Sequence, residues 1–466
     1  MWTSPVEADL PLNSMNAHAV EVRLSAYSDY VNPQWVRLLD LLEMNVRYER
    51  CLGSELFDSE GRRYLDCFSG YCVQNIGHNH PAVIEALREE LAACGPTMVQ
   101  SHVPQLAGEL AGRLCGLAGG KLSKVFFCSS GSEGIEAAIK FSRARTRRSG
   151  LLYAQGAFHG LTCGALSLMG DPYWREGFGP LLPDTVAIPF DDLNALKQQL
   201  ASERFAAFIC EPIQGEAGMR VPAPDYWQEV GKICRHYGTL LVLDEVQTGL
   251  HRTGEFLAGH RYQAQPDMVV LAKALSGGLV PVGAVLMTEE IYESVYSSIK
   301  RSIIHTSTFS ENGLAMRAGL ATLDVLESED LGSRAKTSGA RLRALLTDAL
   351  SGFEMVKAVR GEGMMLGIEF QSPQKLTLRL AFEAFMKVHP AMFGQIVVMR
   401  LFRDQGILTQ VCGNNFMVLK VAPPLVVTEG QMQELVAGIR EVVELAHSST
   451  SFWSEALGMA RRAVNF

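Results

Sequence analysis

At 466 residues, 47% hydrophobic and 20% charged, the chain can bury one large core with a smaller satellite and is too apolar for a disordered or fibrous protein. Its net charge of -8 comes from mixed acids and bases with no long basic block, which argues against a nucleic-acid or anionic-membrane partner. Ten scattered cysteines include no C-x-x-C pair, a usage that fits a reducing cytoplasm.

The opening MWTSPVEADLPLNSMNAHAV has no basic stretch followed by an apolar core, so no secretory signal is expected. VNPQWVRLLDLLEMNVRY then places Trp35, Leu38, Leu39, Leu41 and Leu42 at helix-like spacing. From about Gly77 to Leu326, short apolar runs alternate with amphipathic segments, the pattern of a parallel sheet covered by helices. KVFFCSS predicts a strand running into the helix SEGIEAAIKFSRAR, and FAAFICEP predicts the next clear strand. YWQEVGKICRHYG aligns Trp227, Val230, Ile233, Cys234 and Tyr237 on one helical face and ends at Gly238, a C-cap. TLLVLDEV and MVVLAK follow as buried strands. Three strands therefore end in a charge, at Glu211, Asp244 and Lys273, and the carboxyl ends of strands are where open α/β sheets collect ligands.

The run Val269–Leu286 is long enough to raise the question of a membrane span. Lys273, Gly277, Gly278, Pro281 and Gly283 break it, so it reads as two short strands around a turn. Segments from about Asn32 to Asn75 and Leu331 to His447 carry shorter strand signals such as MLGIEF and MVLKVAPPLVV. The expected division is 1–76 as an N-terminal segment and part of a small domain, 77–328 as the large domain, and 329–466 as the C-terminal small domain. FWSEALGMARRAVNF reads as a final amphipathic helix.

Lys273 is the one charge in an apolar run, and an unpaired buried ammonium must be neutralised, paired or used. The commonest use of such an amine is a Schiff base with a carbonyl; alone, a structural lysine is an equal reading. Asp244 closes a very apolar strand and needs a cationic partner, for which a protonated pyridine nitrogen would serve; a structural ion pair is the ordinary alternative. In CSSGSEGIEAAIK, Ser130 and Glu133 are spaced as a capping box, and the helix N-terminus at Gly131 can hold phosphate. Phe158 in GAFHG can stack on a flat ring or be ordinary core, and His159 reads as a pocket wall rather than a general base. His78 and His80 lack a third ligand at a recognisable spacing, so no metal is expected. Together the lysine, acid, phosphate turn and aromatic describe a pyridoxal 5'-phosphate site.

In their order and wording, SSGSEGIEAAIK, GAFHG, CEPIQGEAG, LDEVQTGLHRTG, LAKALSGGLVPVGAV and HTSTFSENGLA resemble the class III, omega-type aminotransferases. This group includes the ornithine, acetylornithine, putrescine and 4-aminobutyrate enzymes, and the resemblance runs from about Leu56 to Glu444. It implies an α/β chain of fold type I, with a mostly parallel seven-stranded sheet between helices and a smaller α+β domain built from both termini. It implies that Lys273 forms the Schiff base and moves the proton, and that Asp244 keeps the pyridine nitrogen protonated. Gln247 would bond the phenolic oxygen, Val246 and Phe158 would sandwich the ring beside His159, and Gly131 and Ser132 would bind the phosphate. Thr308 would reach a phosphate across the interface of a homodimer. The implied reaction is ping-pong transfer from a donor amine such as glutamate or ornithine to an aldehyde or oxo-acid acceptor.

Two departures bear on the substrate. Where the ornithine branch pairs the last glutamate of EPIQGE with an arginine, this chain has Glu216 and Lys420, a point charge in place of a bidentate fork. Glu216, Lys420 and Tyr71 are expected to form a gate with altered carboxylate selection. Gln374–Phe402 and the apolar N-terminal segment are read as a dimer or domain seam, or as a wide entrance for a bulky amine or aldehyde. These flanks are similar to those of bacterial aminotransferases assigned to hopanoid side chains. An aminomutase or decarboxylase is the competing chemistry, since groups around the cofactor choose which bond breaks. A non-catalytic pyridoxal-binding regulator lacks the spare DNA-reading module it would need.

Overall fold

The computed structural model describes residues 26–99, 101–388 and 392–464. The signal-peptide reading of the first twenty residues lies outside them. Seven strands form the central sheet, in the order Lys124–Cys128, Gly283–Met287, Met268–Leu271, Leu240–Asp244, Phe205–Cys210, Gly150–Ala154 and Thr185–Ile188. Gly283–Met287 runs antiparallel to both neighbours, and the remaining pairs are parallel. Reversing direction twice leaves Lys124–Cys128 pointing the same way as Met268–Leu271. The carboxyl ends of the strands before Ser129, Gln155, Glu211, Glu245 and Ala272 therefore share one edge. The run Val269–Leu286 contributes two of these strands, antiparallel to each other, as its glycines and proline suggest.

Every residue of Gly150–Ala154, Phe205–Cys210 and Met268–Leu271 is buried, because helices cover both faces of the sheet. The period of two sorts their side chains. Leu151, Val242 and Val270 join Ile135, Ala138 and Phe141 of the helix Gly131–Thr146 on one face. Leu152, Leu241, Leu243, Val269 and Leu271 lie in the larger core on the other, with Trp227, Val230 and Cys234 of the helix Tyr226–Tyr237. Each fully buried Leu, Val or Phe contributes roughly 1.5–3 kcal/mol. Gly238 ends that helix in the left-handed region, φ 63°, the conformation a C-cap glycine supplies without a Cβ penalty.

The chain's two ends meet in smaller sheets. Tyr48–Leu52, Glu55–Asp58 and Arg63–Asp66 form an antiparallel meander, and Ile407–Leu408 adds to Arg63–Asp66 in parallel. Val356–Glu362, Met365–Phe370, Asn415–Val421 and Gln410–Cys412 make a second antiparallel sheet, in which Lys420 lies opposite Gly367 and Gln410. Buried Arg252, in the loop after Asp244, ties these parts together: it donates to Asn75 Oδ1 at 2.6 and 3.1 Å, to the Met364 carbonyl at 3.1 Å and to the Pro423 carbonyl.

The segment 374–402 forms the helix Leu376–Val388 and the start of Phe393–Gln405. Phe382, Phe385 and Phe393 cluster around Trp453 of the C-terminal helix Thr450–Val464, the Phe393 and Trp453 rings stacking at 6.1 Å. The apolar insertion and the last helix are thus partners in one seam. Among the described residues no helix is long and apolar enough to cross a membrane.

Candidate active site

A cavity of about 1470 Å³ opens at the carboxyl edge of the large sheet. Its floor carries Lys273, Asp244, Glu211, Gln247 and the turn Ser129–Ser132, and Phe158, His159 and Val246 line it too. Lys273 is half-buried rather than enclosed, and it forms no hydrogen bond or ion pair among the described residues. Of the fates expected for this lysine, pairing is absent among the described residues. Its backbone sits at φ 48°, a left-handed conformation that costs a residue with a Cβ on the order of 1–2 kcal/mol.

Asp244 is held from two sides. Its Oδ2 is 2.7 Å from His159 Nδ1, and its Oδ1 accepts from the Val246 amide at 3.1 Å. His159 is buried, and its Nε2 meets no hydrogen-bond partner among the described residues. Burial pulls the imidazole's pKa down, but the Asp244 hydrogen bond and charge and the Glu211 charge outweigh it, so the pKa lies above the ordinary histidine value. Glu211 accepts from the Phe158 amide at 3.0 Å and the Gly215 amide at 3.1 Å. Burial first, and then the Asp244 charge, push its pKa up to about 7. The expected convergence of the three strand-end charges is therefore observed, with His159 as the link between two of them. The sequence reading made His159 a wall residue; its strand-end neighbour Asp244 lies 85 positions away, so the contact left no local signal.

At the turn, Ser130 Oγ accepts from the Glu133 amide at 3.2 Å, as a capping box requires. The reciprocal arm is displaced by one residue, because Glu133 Oε2 takes the Ser129 amide at 2.6 Å. The amides of Gly131 and Ser132 meet no acceptor among the described residues and stand at the positive end of a 16-residue helix. A Cβ at Gly131 would stand 2.9 Å from Val246 Cγ2, so only glycine lets the turn approach that wall.

Glu216 Oε1 pairs with Lys420 Nζ and accepts from Gln247 Nε2 at 3.3 Å, while its Oε2 accepts from the Gly413 amide at 2.8 Å. Burial raises the Glu216 pKa, but Lys420, Gly413 and Lys273 overcome it and hold the carboxyl below its ordinary value. Burial lowers the Lys420 pKa in turn, and Glu216 outweighs that and raises it. Tyr71, Glu216 and Gln247 line the cavity. Thr308 does not: it is exposed and lines a separate cavity of about 590 Å³ with Glu90, His102 and Arg317. Trp174, absent from the sequence reading, lines one wall, and Asn414 behind it fixes its ring. Trp174 Nε1 donates to Asn414 Oδ1 at 2.8 Å, and its ring meets Phe158 edge-on at 5.4 Å.

His78 bonds Asp66 at 2.7 Å, and His80 caps the helix Pro81–Ala92 and bonds Glu329 at 3.0 Å. Among the described residues no group of three or more His, Cys, Asp or Glu could hold a metal ion.

The sheet order and the cavity at its carboxyl edge have the architecture of the fold-type I transferases that bind pyridoxal phosphate. A family model for "Aminotransferase class-III" matches residues 40–443. The chain belongs to that family. It is 34% identical to the aminotransferase PigE of a Serratia species, in an alignment that covers 91% of this chain and 54% of that relative. The ornithine aminotransferase of Toxoplasma gondii is 28% identical, covering 93% of this chain and 96% of its own, with a TM-score of 0.80. An (S)-enantioselective omega-transaminase from Thermomicrobium roseum is 31% identical, covering 93% of this chain and 100% of its own, with a TM-score of 0.81. The family's cofactor fits the residues present. Free amides stand at a helix N-terminus for an anion, a buried carboxylate faces the cavity for a protonated ring nitrogen, and an unpaired lysine stands for a carbonyl.

Proposed function

We propose that the chain transfers an amino group from a donor amine to an aldehyde or oxo-acid acceptor in two half-reactions at one site. The observation that carries this is an unpartnered Lys273 lining the same cavity as buried Asp244 and the free Gly131 and Ser132 amides. Bound there, pyridoxal phosphate supplies an electron sink for the charge left when the amine carbon loses a proton. Lys273 Nζ takes that proton and returns it. Asp244, held in place by His159 Nδ1, keeps a proton on the ring nitrogen. Gly131 and Ser132 would hold the phosphate, Phe158 and Val246 would flank the ring, and Gln247 would meet its phenolic oxygen. In each half-reaction one carbonyl compound and one amine exchange nitrogen, so atoms balance without an outside reductant.

The reading places Thr308 at the partner's phosphate in a homodimer. The exposed Ile299, Ile303, Ile304 and Phe309 around it favour a covered face. It also keeps the division at 77 and 329, the seven-stranded sheet lying wholly inside 77–328. The ten cysteines, all free, agree with a cytoplasmic setting. The test is to give the holoenzyme a nitrogen-15-labelled donor, in turn a simple primary amine and an amino acid, together with an unlabelled aldehyde. Equal amounts of labelled product amine and donor-derived carbonyl are expected. Carbon dioxide release, or a rearranged amine without transfer, would replace the reading with a decarboxylase or an aminomutase.

A further inference from the structure

The hairpin turn Gly413–Asn414 joins the strands Gln410–Cys412 and Asn415–Val421 of the second small sheet and reaches the loops at the carboxyl edge of the seven-stranded sheet. Both of its amides end on Glu216: Gly413 donates to Oε2 at 2.8 Å and Asn414 to the backbone carbonyl at 2.9 Å. A Cβ at Gly413 would stand 3.1 Å from Glu216 Oε2 and 3.6 Å from Trp174 Cζ2, so the turn packs closely on both.

Asn414 does not line the cavity, but its side chain engages residues that do, and it uses both ends. Its Oδ1 accepts from Trp174 Nε1 at 2.8 Å, while its Nδ2 donates to the Gly156 carbonyl at 2.9 Å and to the Ala157 carbonyl at 3.4 Å. Those carbonyls immediately precede Phe158 in the chain. Trp174 meets the Phe158 ring edge-on at 5.4 Å and is backed by Tyr173 at 5.3 Å. One side chain thus holds Phe158 twice, through the backbone before it and through the ring beside it. Glycines bracket Phe158, Gly156 at φ 80° and Gly160 at φ 123°, so this backbone is permissive and its placing comes from outside contacts. A short group that both donates and accepts is what the position requires; a carboxylate would accept from Trp174 and offer nothing to the two carbonyls.

We propose that Asn414 is a positioning residue, setting the face of Phe158 against the cofactor ring from a different sheet. The proposal rests on the reading of Phe158 as a flank of that ring. Placement matters because a radial gap of roughly 0.5–1 Å forfeits a quarter to a half of a dispersion contact.

The test titrates apoenzyme with pyridoxal phosphate and records the visible circular dichroism of the holoenzyme's cofactor band. Asn414→Ala is expected to weaken binding roughly three- to tenfold, the scale of one lost hydrogen bond, and to change the dichroism. Asn414→Asp, which lacks the donor to the carbonyls, and Trp174→Phe, which keeps a ring but lacks the donor to Asn414, should each give part of that change. In Phe158→Ala, with no ring left to position, adding Asn414→Ala is expected to weaken binding by less than about twofold more. A link that only stabilises the hairpin predicts a lower melting temperature with binding and dichroism unchanged, and that result in folded Asn414→Ala overturns the proposal while leaving Phe158 at the ring. Equal losses from Asn414→Ala with and without Phe158 overturn it too. If Phe158→Ala by itself leaves binding and dichroism unmoved, the reading of Phe158 fails and the proposal with it. Should Asn414→Ala not fold, Trp174→Phe takes its place in the same comparison, with the same results deciding.

Discussion

Lys420→Met isolates the Glu216 pair. The substitution keeps most of the stem volume, so the loss is almost purely the charge. Glu216 is 8% exposed and retains two neutral donors, the Gly413 amide at 2.8 Å and Gln247 Nε2 at 3.3 Å. Removing one partner of a buried pair costs roughly 3–5 kcal/mol; with those donors kept, the lower end, about 3 kcal/mol, is expected. Glu216→Gln strands the ammonium against the Phe68 and Tyr71 rings and costs a similar amount. The double variant has no charge left to strand and is expected to lose about 1–2 kcal/mol. Urea denaturation of the four proteins closes a double-mutant cycle, in which the double should fall at least about 2 kcal/mol short of the summed singles. Additive losses would mean that the two side chains do not stabilise one another and would refute the buried pair.

Lys273→Ala should lower amino transfer by roughly a hundredfold to ten-thousandfold, read as product amine formed per minute, because among the described residues no other lysine lines the cavity. Thr308→Val should weaken cofactor affinity about tenfold, the worth of one hydrogen bond to a charged group, in a titration of apoenzyme by fluorescence. Unchanged affinity would remove Thr308 from the site. Glu211 and Glu245 each have a pKa raised by burial from 4.5 to about 7, so the fold favours their protonated forms. Their contribution is fully present below pH 4.5 and is lost as pH rises through about 7. Glu211→Gln should therefore flatten the fall of melting temperature over that window, and an unaltered slope contradicts it.

The strands, the helix ending at Gly238 and the three strand-end charges were readable because each is local: period-two burial, a left-handed glycine, one charge closing an apolar run. The Glu216–Lys420 pair was readable through its motif, but its enclosure was not. That depends on a left-handed turn at Ser69–Cys72 which no propensity favours outside glycine, set over Lys420 by pairing between the chain's two ends. The bond between His159 and Asp244 escaped for the same reason, since only the parallel sheet brings the His159 loop to Asp244. Trp174 lies in a short 3₁₀ turn with no periodicity to mark it. The insertion 374–402 offered two readings, and the fold uses parts of both: Phe382 and Phe393 pack against Trp453, while Met392 and Gln395 line the cavity.

The most direct test of amino transfer by this chain is the absorption spectrum of the purified holoenzyme as pentylamine is added and then an aldehyde. Loss of the visible cofactor band with the amine, and its full return with the aldehyde, is the predicted result. A band that persists with pentylamine and with every amino acid tried, or is lost and never regained, would contradict reversible transfer through Lys273.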